Sequence, residues 1–170
     1  MTPSIAALFL ALAASTHAAP WAVRTARDGS PPRAEIVNAA GARLAVFRDA
    51  AGAVVAEFRA AAPSPLAAGH CPTFQVDARL PLHHYPPGED CAVDGRSARF
   101  TLVRDAGPRV ESDVLYQLMN GSQVAFRFTT RDGAYHEARF PLTRSKNALR
   151  RALGRNLDVR PAPATMAESR

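Results

Sequence analysis

Short stretches in which apolar and polar residues alternate recur along the chain, and this pattern is typical of half-buried β-strands. The most regular example reads NAAGARLAVFR from Asn38 and then DAAGAVVAEFR from Asp49, a tandem repeat with a period of eleven residues. Each copy begins with turn-forming residues, including a glycine that can adopt a positive φ, and continues as an alternating strand. If each Ala-Ala-Gly is a three-residue hairpin loop, Ile36, Leu44 and Phe58 lie in one cross-strand row of a three-stranded meander.

A second hairpin is predicted in the last third of the chain, where SQVAFRFTT and AYHEARF flank the turn Arg131-Asp132-Gly133. A three-residue loop with a left-handed glycine fixes the register of the two strands. That register sorts the apolar residues to one face and an ion pair to the other, with the cross-strand pairs Phe128–His136, Arg127–Glu137, Phe126–Ala138 and Val124–Phe140.

Two helices are predicted from apolar residues at helical spacing. Residues 112–119 form the first, with Ser112 as N-cap and Gly121 just past its end; a strand that starts at Val114 is the alternative. The second has Ser145 as its cap and ends at Gly154. It should pack on the sheet through an apolar stripe made of Ala148, Leu149, Ala152 and Leu153.

Because short alternating strands with turn signals dominate, the sequence predicts a mainly β fold. We expect an antiparallel β-sandwich or a strongly curved sheet of about seven to nine strands, with a short internal helix and a C-terminal helix. Residues 19–154 should form a single β-rich domain. Residues 155–170 contain little that could be buried, and they are predicted to be a disordered tail.

An apolar run, IAALFLALAA at residues 5–14, is too short to cross a bilayer and has the length of a signal-peptide core. Residues 1–18 are therefore predicted to be a signal peptide that is cleaved after Ala18, because small residues occupy both positions that the peptidase inspects. No later segment approaches the length of a membrane-spanning helix. The expected location is periplasmic or secreted, with no transmembrane segment.

The segment GHCPTFQVDARLPLHHYPPGEDC holds both cysteines of the chain and three of its five histidines. Cys71 and Cys91 are expected to form a disulfide, because an exported protein meets an oxidising compartment. The prolines and the disulfide would stiffen the loop between them, and a stiff loop loses less entropy on binding. His83, His84 and Tyr85 are therefore the candidate ligand-binding residues, and the alternative is that they cover the open end of the sheet.

The histidines also suggest a zinc site, in which His83 or His84 would act with His70 or His136. Adjacent histidines on an extended segment point to opposite faces, however, and the chain lacks the His-x-x-x-His and Cys-x-x-Cys spacings of a rigid ligand pair. The chain also has no Gly-x-Ser-x-Gly elbow and no glycine-rich phosphate loop. We therefore predict no metal site, no cofactor and no catalytic residue.

The chain is basic, with a net charge of +6, and almost all of its 21 basic residues are arginine. They are spread along the sequence, so a nucleic-acid partner is not expected. An anionic envelope component or another exported protein is the expected partner. The one charge cluster lies on the C-terminal helix, where a solvated helix face is favoured over an anion-binding patch. It comprises Arg144, Lys146, Arg150, Arg151 and Arg155.

Trp21 opens the β-rich region, and LYQLMNGSQVAFRF is followed further along by FPLTRSKNALRRAL. This layout, over residues 115–153, resembles the proteobacterial family named after invasion-associated locus B. The resemblance implies an exported β-sandwich protein with a C-terminal helix, and because that family has no established catalytic residues it assigns no functional residue to this chain. Members of that family tend to carry a cysteine soon after the opening Trp, where this chain has Arg24 and Thr25.

Two classes of function follow from these patterns. The leading hypothesis is a non-enzymatic periplasmic or secreted binding module, because the central loop is rich in proline, histidine and tyrosine while no catalytic constellation appears. The alternative is a zinc-dependent hydrolase or metal-binding protein that uses the loop histidines.

Overall fold

The computed structural model describes residues 19–25, 29–79 and 91–162, and these residues form a mainly β fold. Within them the chain forms eleven strands: β1 (Ala22–Arg24), β2 (Arg33–Val37), β3 (Arg43–Arg48), β4 (Val54–Arg59), β5 (Thr73–Val76), β6 (Cys91–Asp94), β7 (Ser97–Val103), β8 (Arg109–Glu111), β9 (Gln123–Thr129), β10 (Tyr135–Pro141) and β11 (Asp158–Arg160). It also forms two helices, α1 (Asp113–Asn120) and α2 (Ser145–Leu153).

The two main sheets are antiparallel and pack face to face. One has the strand order β1-β2-β3-β4-β7-β6, and the other has the order β10-β9-β5. Phe58 on β4 stacks on Phe126 of β9, with ring centroids 4.7 Å apart, and Phe100 on β7 lies 6.0 Å from the same ring. These rings form the centre of one core between the sheets. The expected antiparallel β-sandwich with two short helices is confirmed.

The tandem repeat folds as the same hairpin twice. Ile36, Leu44 and Phe58 lie in one cross-strand row, as predicted. In the first loop the Asn38 side chain accepts the backbone N–H of Ala42 at 2.9 Å, and in the second Asp49 accepts that of Ala53 at 2.9 Å. The glycine of each loop is left-handed, with φ of 86°. The period of eleven residues is therefore the length of one strand plus one turn.

The β9–β10 hairpin has the predicted register in all four pairs, from Phe128–His136 to Val124–Phe140. Gly133 is left-handed, with φ of 83°. On the core side, Val124, Phe126 and Phe140 are buried.

Helix α1 lies one residue later at each end than the predicted range of 112–119, and the alternative strand at Val114 is wrong. The Ser112 hydroxyl accepts the backbone N–H of Leu115, and Gly121 follows the last turn. For α2, the predicted cap is wrong, because Arg144 occupies the cap position and makes no side-chain capping bond. Ser145 is instead buried and donates its hydroxyl hydrogen to the Leu118 carbonyl at 2.7 Å, which ties α2 to α1.

The apolar stripe of α2 is buried as predicted, and the helix packs against β1, β2 and β3. The larger sheet is thus covered by α2 at one end and by the smaller sheet over β4 and β7.

The prediction of a disordered tail from residue 155 is wrong for its first part. Leu157 is buried, and β11 pairs in parallel with β8, placing Val159 opposite Val110. The described residues form eleven strands where about seven to nine were predicted, and the short strands β6, β8 and β11 account for the difference. Residues 163–170 and the predicted signal peptide at residues 1–18 lie outside the described residues.

Candidate functional site

The predicted disulfide between Cys71 and Cys91 is present, with Cα atoms 6.3 Å apart. Cys71 precedes β5 by two residues, and Cys91 is the first residue of β6. In the described part of the chain, β5 is an edge strand of the smaller sheet and β6 is an edge strand of the larger one. The disulfide therefore joins the two sheets at one side of the sandwich, and the connection between β5 and β6 runs from one sheet to the other. A disulfide indicates a non-reducing environment.

The three candidate binding residues, His83, His84 and Tyr85, belong to residues 80–90 and lie outside the described residues. The described residues do define one end of this loop. Asp77, just after β5, adopts a left-handed φ of 52° and accepts backbone N–H groups from Ser122 and Gln123, each at 3.0 Å. The chain thus leaves the smaller sheet from a position that is fixed to the start of β9.

The other two histidines of the zinc hypothesis have local partners. The exposed His70 has its Nδ1 atom 3.0 Å from the Ala68 carbonyl oxygen. The half-buried His136 stacks on Phe128, with ring centroids 5.4 Å apart. Within the described ranges, no three His, Cys, Asp or Glu side chains come together as a metal site would require.

The outer face of the larger sheet carries a charged network. Glu57 on β4 lies 3.5 Å from the Arg33 guanidinium and 3.3 Å from that of Arg99. The Arg33 guanidinium also lies over the Phe47 ring, 3.8 Å from its centroid, in cation–π geometry. Beneath it, Phe47 and Val55 belong to a small apolar cluster separate from the main core. This part of the face has its charges paired.

The outer face of the smaller sheet is paired in the same way. Glu137 accepts hydrogen bonds from Arg139 and, at 2.8 Å, from Arg127. Hydrogen bonding to these two guanidiniums, with Arg139 the larger contributor, lowers the pKa of the Glu137 carboxyl below its ordinary value. Arg127 also donates to the Gln75 side chain on β5 at 2.9 Å, which links all three strands.

One group of charges at the end of the larger sheet is not balanced. Arg43, Arg59 and Arg96 surround a depression of about 280 Å³, called the arginine pocket below, together with Ala40, Gly41, Ala60 and Ala61. Sequence reasoning missed this group, because three arginines separated by 16 and 37 positions show no spacing motif. The only available signal was the repeat itself, whose predicted register places Arg43 opposite Arg59.

We found no significant match to this chain among protein-family models, curated proteins or solved structures. The resemblance to the family named after invasion-associated locus B therefore stays a prediction. In the described ranges, no helix is both long and apolar enough to cross a membrane.

Proposed function

We propose that the protein is an exported, non-enzymatic binding protein of the periplasm or the extracellular medium. The observation that carries this proposal is the Cys71–Cys91 disulfide, which links one edge of each sheet and closes a loop that contains four prolines, two histidines and a tyrosine. Such a cross-link supports a non-reducing destination. It also restricts the loop that it closes, which lowers the entropy lost when a partner binds.

In this proposal the contact surface is the loop from residue 82 to residue 90, with His83, His84 and Tyr85 as the contacting side chains. The partner is an anionic envelope component or another exported protein. The net charge of +6 supports an anionic partner, because it raises the rate of encounter with negatively charged surfaces.

The direct test replaces His83, His84 and Tyr85 together by alanine. Capture of envelope components by the immobilised variant is compared with capture by the wild type, and the melting temperature of both is measured. A matched control carries His70→Ala and Tyr135→Ala, which remove an exposed histidine and an exposed tyrosine from elsewhere. The proposal predicts lost capture and an unchanged melting temperature for the loop variant only. A large drop in melting temperature with capture retained would mean that these residues instead cover the open end of the sheet.

Metal content distinguishes this proposal from the zinc-dependent hydrolase. The protein is purified without a histidine tag, and its zinc is measured after dialysis. The binding proposal predicts zinc well below one equivalent. One equivalent of zinc that disappears in the His83→Ala or His84→Ala variant would overturn it in favour of the hydrolase.

A further inference from the structure

We propose that the arginine pocket is a binding site for a phosphate group. Its three guanidiniums come from three different elements. Arg43 begins β3, Arg59 ends β4, and Arg96 lies in the turn between β6 and β7. All three side chains are exposed, so they are accessible to a ligand from solvent.

The first argument is the arrangement of like charges. Arg43 and Arg59 are direct cross-strand partners in the β3–β4 pair. Like charges in this arrangement destabilise a sheet unless a negative charge compensates them. Arg96 adds a third positive charge at the next turn, because Arg59 is also the cross-strand partner of Ser97.

The second argument is the shortage of negative charge. Glu35 lies 3.5 Å from the Arg43 guanidinium and is the one acidic partner of the pocket among the described residues. Among the described residues, the side chains of Arg59 and Arg96 make no ion pair and no hydrogen bond. Asp94, at the other end of the β6–β7 turn, does not come within 4.0 Å of either guanidinium. This contrasts with the Glu57 network on the same face, where both arginines share a carboxylate.

The third argument is that backbone hydrogen bonds fix the frame of the pocket. The Ala60 N–H donates to the Arg96 carbonyl at 2.9 Å, and the Leu66 N–H donates to the Gly95 carbonyl at 2.9 Å. These two bonds hold the β6–β7 turn against the end of β4. The β2–β3 loop on the other side is closed by the Asn38 side chain. The three arginine stems therefore start from preorganised positions, which reduces the cost of binding.

The chemistry of the pocket favours phosphate. Guanidinium groups match the oxygen geometry of phosphate and donate paired hydrogen bonds to it. A volume of about 280 Å³ is slightly below the roughly 300–1,000 Å³ of pockets that enclose drug-sized ligands, so a small group fits better than a large one. A phosphate group also carries more than one negative charge. It would offset the positive charge of the three arginines that Glu35 does not neutralise.

The test is calorimetric titration with inorganic pyrophosphate at an ionic strength of about 0.15 M, where attraction over more than about 8 Å is largely screened. The wild type is compared with the variant carrying Arg59→Gln and Arg96→Gln. We expect saturable binding to the wild type and a dissociation constant about a hundredfold higher in the variant, about tenfold for each charged hydrogen-bonding group removed. The variant should melt no lower than the wild type, because it relieves the repulsion between Arg43 and Arg59.

The control carries Arg150→Gln and Arg151→Gln, two exposed arginines of α2, and it removes the same charge from elsewhere. Its affinity for pyrophosphate should stay within about twofold of the wild type, because α2 contributes no residue to the pocket and its attraction over a longer distance is screened by salt. Equal weakening in both double variants, or no saturable binding to the wild type, would overturn the proposal.

Vesicles distinguish a lipid headgroup from a soluble phosphate compound. Vesicles of phosphatidylcholine with and without phosphatidic acid are sedimented with each variant. Binding to phosphatidic acid that pyrophosphate displaces and that the Arg59→Gln, Arg96→Gln variant loses would assign the phosphate to a lipid. Pyrophosphate binding without vesicle binding would assign it to a soluble compound. Vesicle binding that this variant retains would contradict the arginine pocket as the site.

This inference is independent of the loop proposed as a contact surface. Residues 80–90 join β6 at Cys91, while the pocket lies at the opposite end of β6. The variant with His83, His84 and Tyr85 replaced by alanine should therefore keep its affinity for pyrophosphate. Loss of pyrophosphate binding in that variant, with binding retained in the Arg59→Gln, Arg96→Gln variant, would reject the pocket and favour the loop.

Discussion

Arg48, the last residue of β3, joins three separate parts of the chain and has no acidic partner among the described residues. Its guanidinium donates to the Leu153 carbonyl at 2.9 Å, to the Gly52 carbonyl at 3.1 Å and to the Ala106 carbonyl. Leu153 ends α2, so the cation also lies where the helix dipole is negative. One side chain thus connects a helix, a hairpin loop and the chain before β8.

Replacing Arg48 by alanine should lower the free energy of unfolding by about 2–3 kcal/mol, since it leaves three part-buried carbonyls without their donor. Denaturant unfolding followed by circular dichroism measures the change. Arg150→Ala, which removes an exposed arginine, is the control and should change the free energy of unfolding by less than about 0.5 kcal/mol. Equal effects of the two substitutions would show that Arg48 contributes only its charge.

Gly121 is required because no space exists for a side chain. A Cβ atom there would lie 2.5 Å from Cγ1 of Val76 and 2.9 Å from the Gln117 carbonyl oxygen. Gly121→Ala should therefore lower the free energy of unfolding by about 1–3 kcal/mol, the usual cost of overpacking. Gly107→Ala is the matched control, because a Cβ at Gly107 would meet nothing closer than 3.9 Å. A melting temperature unchanged by Gly121→Ala would show that α1 can shift away from β5.

These residue roles were only partly predictable. Gly121 was expected at the end of α1, but its closeness to Val76 depends on where the end of α1 lies relative to β5, and no local sequence pattern reports that. Arg48 is one of many arginines in the sequence, and its partners are backbone carbonyls, which are present at every position.

At the scale of elements, the β9–β10 turn is fixed by an acidic side chain. The Thr130 and Ser64 hydroxyls donate to the Asp132 carboxylate, and the Ala134 N–H is a further donor. These hydrogen bonds, led by that of Thr130, lower the pKa of Asp132 from 3.8 to about 2. Ser64 lies in the connection between β4 and β5, so the same carboxylate attaches that segment to the hairpin.

A lowered pKa means that the ionised carboxylate stabilises the folded state above the ordinary pKa. This contribution is present above about pH 4 and is lost as the pH falls through the folded value of about 2. The wild type should therefore melt at a higher temperature than Asp132→Asn at pH 5, and the difference should shrink toward pH 2. Melting curves of both proteins across this range test the point. A difference that does not depend on pH would mean that the Asp132 charge has no role in the turn.

The hairpins were predictable and the parallel pair was not, for a physical reason. The turn residues and both alternating strands of the β9–β10 hairpin lie within about twenty residues, so a short stretch of sequence fixes their register. The pairing of β8 with β11 joins residues almost fifty positions apart, and each strand has only three residues. Their alternation is too short to distinguish from a loop.

At the scale of the whole molecule, the disulfide joins the two sheets. Replacing both cysteines by serine should lower the free energy of unfolding by roughly 3 kcal/mol, because the cross-link closes a loop with a sequence separation of 20 residues. Denaturant unfolding of the variant, compared with the reduced and oxidised wild type, measures this. The variant and the reduced wild type should unfold at the same denaturant concentration. A variant as stable as the oxidised wild type would show that packing alone holds the sheets together.

The sandwich and the cysteine pair were predicted from alternation and from the expected compartment. The sequence did not reveal that β5 and β6 are edge strands of facing sheets, because that depends on the pairing of strands that are not consecutive in the sequence. The arginine pocket could not be predicted for the same reason, since the end of β4 meets the β6–β7 turn only after β4 has paired with β7.

The central claim is that the protein is exported and folds with its two cysteines joined, and the intact mass of the protein recovered from the cells that express it tests this most directly. The full-length chain is expressed with its own N-terminus, the cells are fractionated, and the non-reduced protein is weighed by mass spectrometry. We predict a periplasmic or secreted species that begins at Ala19 and is lighter by two hydrogens than its reduced form. A cytoplasmic species that retains residues 1–18 and two free thiols would contradict the account.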